Sequence, residues 1–177
     1  MQAQSPEGKI GEFKMTTTDN LLYYMINYYE NDPKRIQHLL KVHSFAQIIG
    51  HQEHLSVENQ VILETAALIH DIGIKPSEEK YGNSNGKNQE LEGPPLAKEA
   101  LQMLGYPEHI IKRVCYLVGH HHTYTDINGL DYQILIEADS LVNFYEDGLS
   151  KTQIITAYDR IFKTLAGKRL CKTMYGI

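Results

Sequence analysis

A histidine and an aspartate stand side by side at His70-Asp71, at the end of the apolar run AALI and just ahead of the small residue Gly73. The backbone turns where a helix ends, so an adjacent imidazole and carboxylate there can both reach one cation. A second carboxylate, Asp139, lies inside ILIEADSLVNF, with Leu135 and Ile136 four and three residues before it and Val142 and Asn143 three and four after. Those spacings set it on the buried stripe of a helix. A buried carboxylate is costly unless it is paired, protonated or bound to metal. The third feature is His38, which shares a helical face with Val42, Phe45, Ala46 and Ile49 and so points inward. His43, near Leu39 and Leu40, competes for the same role. Taken singly, His38 also reads as a hydrogen-bonded core residue and Asp139 as a cap or ion-pair partner. Taken together they point to a metal site, and a mixed His/Asp set suits Fe, Mn, Co, Ni or Zn better than Ca or Mg.

These residues need elements to hold them. Leu21, Leu22, Met25, Ile26 and Tyr29 repeat at spacings of three and four, which predicts a short helix ending at Asn31-Asp32-Pro33. Asp32 as N-cap and Pro33 as first helical residue open a long amphipathic helix up to Gly50. Ser56 caps another, which carries Val61, Ile62, Ala66, Leu68 and Ile69 up to the His-Asp doublet. Residues 75–93, KPSEEKYGNSNGKNQELEG, lack a period and read as a long surface loop. Pro94-Pro95 opens a helix that stops at Gly105, and Pro107 opens the next, which ends at His120-His121-His122. DYQILIEADSLVNFYED reads as a helix, and Ser150–Ala166 as a last one bounded by Gly167. No segment alternates at period two, so the expected class is all-α.

Length and composition fit one domain: 177 residues, 42% apolar and 22% charged. The first 18 residues are polar and aperiodic and read as a flexible leader, with the helical domain over 19–177. A formal net charge of −5 argues against a long nucleic acid as partner and leaves a small anion open. Two distant cysteines, Cys115 and Cys171, supply no disulfide framework, and no apolar run is long enough for a membrane span. The expected setting is the cytoplasm. Tyr23, Tyr24, Tyr28 and Tyr29 offer aromatic surface to the core, to a homodimer interface or to a substrate pocket, with core or interface preferred.

The order His, His-Asp, Asp, with the doublet set as ALIHDIG and the last Asp as EADSLVNF, resembles the HD domain superfamily of metal-dependent phosphohydrolases. The resemblance runs from about Arg35 to Glu146, and His38, Val42 and Ala46 fit the spacing of the family's first helix. It implies a single-domain bundle of about six or seven helices in which His38, His70, Asp71 and Asp139 bind one divalent transition metal. It further implies metal-activated water attacking a nucleotide or another small phosphorylated metabolite, with Asp71 as general base.

Lys75, four residues after the doublet, and Arg35, three before His38, stand where they could turn a positive charge to a phosphate or remain solvated. His120 and His121 resemble the phosphate-facing or second-metal residues of two-metal members, with His122 outside. Such members usually carry a further His where this chain has Gln89, beside Glu90, which could serve as a ligand instead. That departure weighs against the alternative of a di-iron oxygenase, which needs about six protein ligands; a metal-holding regulatory module is the other alternative.

Overall fold

Asp32 accepts the Arg35 amide through its side chain, and Pro33, which has no amide hydrogen to lose in a first turn, follows it. Together they start the long helix that carries His38. The computed structural model describes residues 17–177, all of whose regular structure is helical: α1 (Thr17–Tyr28), α2 (Pro33–Gln52), α3 (Val57–Ile69), a 3₁₀ turn (His70–Gly73), α4 (Ile74–Tyr81), α5 (Gly86–Met103), α6 (Glu108–Val118), α7 (Leu130–Glu146), α8 (Lys151–Ile161) and α9 (Leu165–Tyr175). The expected leader lies almost entirely outside the described residues.

α7 is the axis of the bundle. Every residue from Asp131 to Val142 is buried, so this helix is covered on all sides, with α2 and α3 against it. α3 also packs on α6, and α6 on α5. The core is built from Leu39, Val42, Leu63, Ala66, Ile69 and Leu135 with their neighbours. No described helix is long and apolar enough to cross a membrane.

The structure departs from the expected elements in two places. The segment read as a loop over 75–93 is α4 followed by the first half of α5, with Asn85 capping through the Asn88 amide and Pro94-Pro95 inside the helix. The reason is tertiary. A Cβ on Gly73 would meet the Gln89 carbonyl at 2.6 Å and the Gly93 nitrogen at 2.9 Å, so two glycines let the 3₁₀ turn and α5 cross backbone to backbone. That crossing holds α5 in a stretch with no period of its own.

The helix expected over Ser150–Ala166 breaks instead into α8 and α9, with Phe162 extended between them. Glu137, fully buried in α7, accepts the Lys163 amide at 2.6 Å, the Thr164 amide at 2.9 Å and the Thr164 hydroxyl at 2.5 Å. Thr164 then caps α9 by accepting the Gly167 amide. Gly167 is therefore inside α9, where any Cβ would collide with the Glu137 carboxylate.

Candidate metal centre

Three elements deliver four side chains to one point. α2 turns His38 onto α7, the tightening of α3 into the 3₁₀ turn presents His70 and Asp71 together, and Asp139 comes from the middle of the buried α7. His38 Nε2 lies 3.2 Å from Asp139 Oδ1, 3.4 Å from His70 Nε2 and 3.5 Å from Asp71 Oδ2. His70 Nε2 lies 3.4 Å from Asp71 Oδ1 and 3.6 Å from Asp139 Oδ1. His38, His70 and Asp139 are buried, and Asp71 alone is part-exposed towards the cleft above. His43 is elsewhere, 3.3 Å from Glu64 between α2 and α3.

Each ring is held from behind. His70 Nδ1 donates to the Ala67 carbonyl at 3.0 Å. His38 Nδ1 donates to Glu146 Oε2 at 3.0 Å, and Lys41 Nζ meets the other oxygen of that carboxylate at 2.5 Å. With Nδ1 committed as donor, Nε2 faces the centre, which is how metal-binding histidines are oriented. The doublet's backbone is braced too: Tyr29 Oη donates to the Asp71 carbonyl at 2.6 Å and Tyr28 Oη to the Ile72 carbonyl at 2.9 Å.

The electrostatics show two carboxylates and two imidazoles competing for protons. Burial pulls His38 down, but its hydrogen bond to Asp139 and the charges of Asp71 and Asp139 prevail and raise it to about 9. His70 is likewise raised, burial being outweighed by Asp71 and Asp139. Burial would raise both carboxyls, yet the His70 charge and the His121 hydrogen bond draw Asp71 well below the ordinary carboxylate range, and the His38 and His70 hydrogen bonds do the same to Asp139. Protons on the two rings thus supply positive charge at the point where the carboxylates need it.

The donor set fits a divalent transition metal. Metal–ligand bonds of about 2.0–2.2 Å separate neighbouring ligands by roughly 3.0–3.6 Å in octahedral or tetrahedral geometry, and the separations above fall in that range. Two nitrogens and two carboxylate oxygens suit a borderline first-row ion. On the far side of Asp71, His121 and His122 bring further nitrogens, so that Asp71, His121 and His122 form a second group of three possible ligands. His121 Nδ1 is committed to the Val118 carbonyl at 2.8 Å, and its Nε2 lies 3.5 Å from Asp71 Oδ1. The buried Nε2 of His122 has no hydrogen-bond partner among the described residues. Burial, then the neighbouring His121, lowers His122 to about 4, which keeps this ring neutral.

Above the cluster opens a cleft of about 290 Å³, walled by Asp32, Lys34, Arg35, Asn143, Glu146 and Asp147 among others. Of the residues expected at the site, Arg35 reaches this wall, bound by Asp32 at 3.2 Å and Glu78 at 2.6 Å. Lys75 does not. Its ammonium donates to the Tyr28 carbonyl at the end of α1 and lies over the Tyr28 and Tyr29 rings, so it closes a helix and faces away from the cleft. His120 also stays apart: its Nδ1 meets the Tyr116 carbonyl at 2.7 Å and its ring stacks on Tyr116, while His122, expected outside, lines the cleft. Glu90 accepts the His122 amide at 3.0 Å and the Thr123 hydroxyl at 2.9 Å, which makes it a support of the histidine turn. Gln89 lines the cleft with Nε2 given to the Ser84 carbonyl and Oε1 buried without a partner among the described residues.

Sequence reasoning missed Glu146, Tyr29 and the part played by Asn143. Glu146 and Asn143 carry a signal, seven and four residues after Asp139 on one face of α7. Tyr29 carries none, since its partner is 42 residues away.

Comparison with known proteins agrees with this geometry. The HD domain family matches residues 35–164, a span that includes all four clustered residues. The fold is similar to the crystal structure of a predicted HD superfamily hydrolase from an uncultured Thermotogales bacterium, at 23% identity and a TM-score of 0.64, covering 88% of this chain and 83% of that one. No curated protein matches the chain.

Proposed function

The chain belongs to the HD domain family, and on that premise we propose that it is a metal-dependent phosphohydrolase acting on a nucleotide or another small phosphorylated metabolite. The observation that carries the reading is the meeting of four side chains on the floor of an open cleft, where the Nε2 atoms of His38 and His70 lie 3.4 Å apart and 3.2–3.6 Å from carboxylate oxygens of Asp71 and Asp139. His38, His70, Asp71 and Asp139 would hold the cation. A bound divalent ion lowers the pKa of its water and polarises a phosphoryl oxygen.

The chain's own residues do the rest. Asp71 belongs to both the cluster and the cleft wall, and its ionised carboxylate is the group to take the proton of an attacking water. His70 and His38, locked through Nδ1, hold their Nε2 atoms on the centre, and buried Asp139 supplies charge from beneath. Lys34 at the wall meets the negative charge of a phosphate, while Arg35 beside it is already paired with Asp32 and Glu78. The group Asp71, His121 and His122 supports room for a second cation beside the first. Gln89 offers one uncommitted oxygen, a weaker ligand than an imidazole, which favours hydrolysis over a di-iron oxygenase. Free Cys115 and Cys171 are in keeping with a reducing, cytoplasmic setting.

The test is hydrolysis of a phosphate-ester panel by protein stripped with chelator and reloaded with Mn, Fe, Co, Ni or Zn. Release of phosphate that needs the metal supports the proposal; no release with any ion contradicts it.

A further inference from the structure

We infer that the substrate is a phosphomonoester whose leaving group is uncharged and rich in hydroxyls, of the class of a phosphorylated sugar, held through Asn143 and Asp147; this rests on the phosphohydrolase reading. The polar groups of the cleft wall divide into two sets. Asp32 and Arg35 are bound to each other, with Glu78 on the guanidinium, and Glu146 is taken by His38 and Lys41. Lys34, Asn143 and Asp147 line the same cleft, and their side chains have no partner among the described residues. Polar groups left free at a cleft are available to a ligand.

Their placement is regular. Asp139 and Asn143 on α7 and Asp147, the C-cap that follows it, stand at four-residue spacing, a ladder that climbs about 6 Å per step from the cluster to the exposed end of the helix. With phosphate at the cluster, the first atoms of the leaving group come level with the Asn143 amide, which both donates and accepts. One step further out, the Asp147 carboxylate accepts only, so it calls for hydroxyl donors.

Charge argues against a second phosphate. Lys34 is the one uncommitted cation among the described residues of the wall, and Asp147 offsets it. A diphosphate would set further negative charge beside Asp147 and the last carbonyls of α7, where the helix end is itself partly negative. A cleft of about 290 Å³ suits a single sugar-sized group.

The experiment compares ribose 5-phosphate with p-nitrophenyl phosphate, which has no hydroxyls, using the metal-loaded full chain and its Asn143→Ala and Asp147→Ala variants. The expected result is a ratio of kcat/KM that favours ribose 5-phosphate and falls about five- to tenfold in each variant, the size of one lost hydrogen bond. Binding of the non-hydrolysable phosphonate analogue of ribose 5-phosphate should weaken in the same proportion, measured by calorimetry without turnover. Hydrolysis of both esters with a ratio that the variants leave flat overturns the inference and spares the phosphohydrolase reading. No hydrolysis of either ester by protein that hydrolyses other members of the panel overturns this inference alone, and no hydrolysis across the whole panel overturns both.

Discussion

The floor and the mouth of the cleft are built on opposite plans. At the floor, His38 and His70 are each locked by a second hydrogen bond, the Asp71 backbone is pinned by Tyr29, and Asp139 is buried in the most enclosed helix of the bundle. At the mouth, Lys34, Asn143 and Asp147 are free of partners among the described residues. A cation with bonds of about 2 Å tolerates little error in its ligands, so the residues around it are held from behind. A substrate supplies its own partners, and groups that receive it are left unpaired until it arrives.

The sharpest way to break this contrast is to remove a floor residue. His70→Ala should lower metal affinity by at least about a hundredfold, measured by competition with a chromogenic chelator, because it deletes a ligand and leaves the buried Asp139 carboxylate with one imidazole fewer to balance it. Retention of one tightly bound ion would mean the floor is not the site.

A smaller effect tests the brace. Tyr29→Phe keeps the ring in the core and removes only the hydroxyl that holds the Asp71 carbonyl. Metal affinity should fall about tenfold and the visible spectrum of the Co(II)-loaded protein should shift, since supporting partners commonly contribute that much. An unchanged affinity and spectrum would make Tyr29 a packing residue alone.

The mildest test is pH. The His38 pKa is raised from 6.5 to about 9, so its protonated form stabilises the metal-free fold, fully below about pH 6.5 and progressively less as pH rises through 9. The metal-free Tm should therefore fall between pH 6.5 and 9. The loaded protein, whose histidines have already given their protons to solvent, should hold its Tm across that window and bind metal more tightly as pH rises. A parallel fall in both forms would contradict the account.

What the sequence reveals of this arrangement depends on how local each cause is. His38 and Asp139 are legible because a helical period of 3.6 places them on buried faces, and His70-Asp71 because it ends an apolar run. His122 is not, since the period lapses after Val118 and nothing local says which of three successive histidines turns inward. Its place is set by Glu90, 32 residues away. The same holds for the fold. The break between α8 and α9 is imposed by Glu137 from α7, and α5 extends through a glycine-rich, proline-containing stretch because Gly73 admits its backbone. Lys75 could be placed near the doublet from spacing, but only the course of α1 shows its ammonium spent on the Tyr28 carbonyl.

The most direct measurement is elemental analysis of the protein purified without chelator, run beside His38→Ala and His43→Ala. The account predicts at least one equivalent of a divalent transition metal per chain in the parent and in His43→Ala, whose ring pairs with Glu64, and its loss in His38→Ala. Metal lost from His43→Ala and kept in His38→Ala would contradict it.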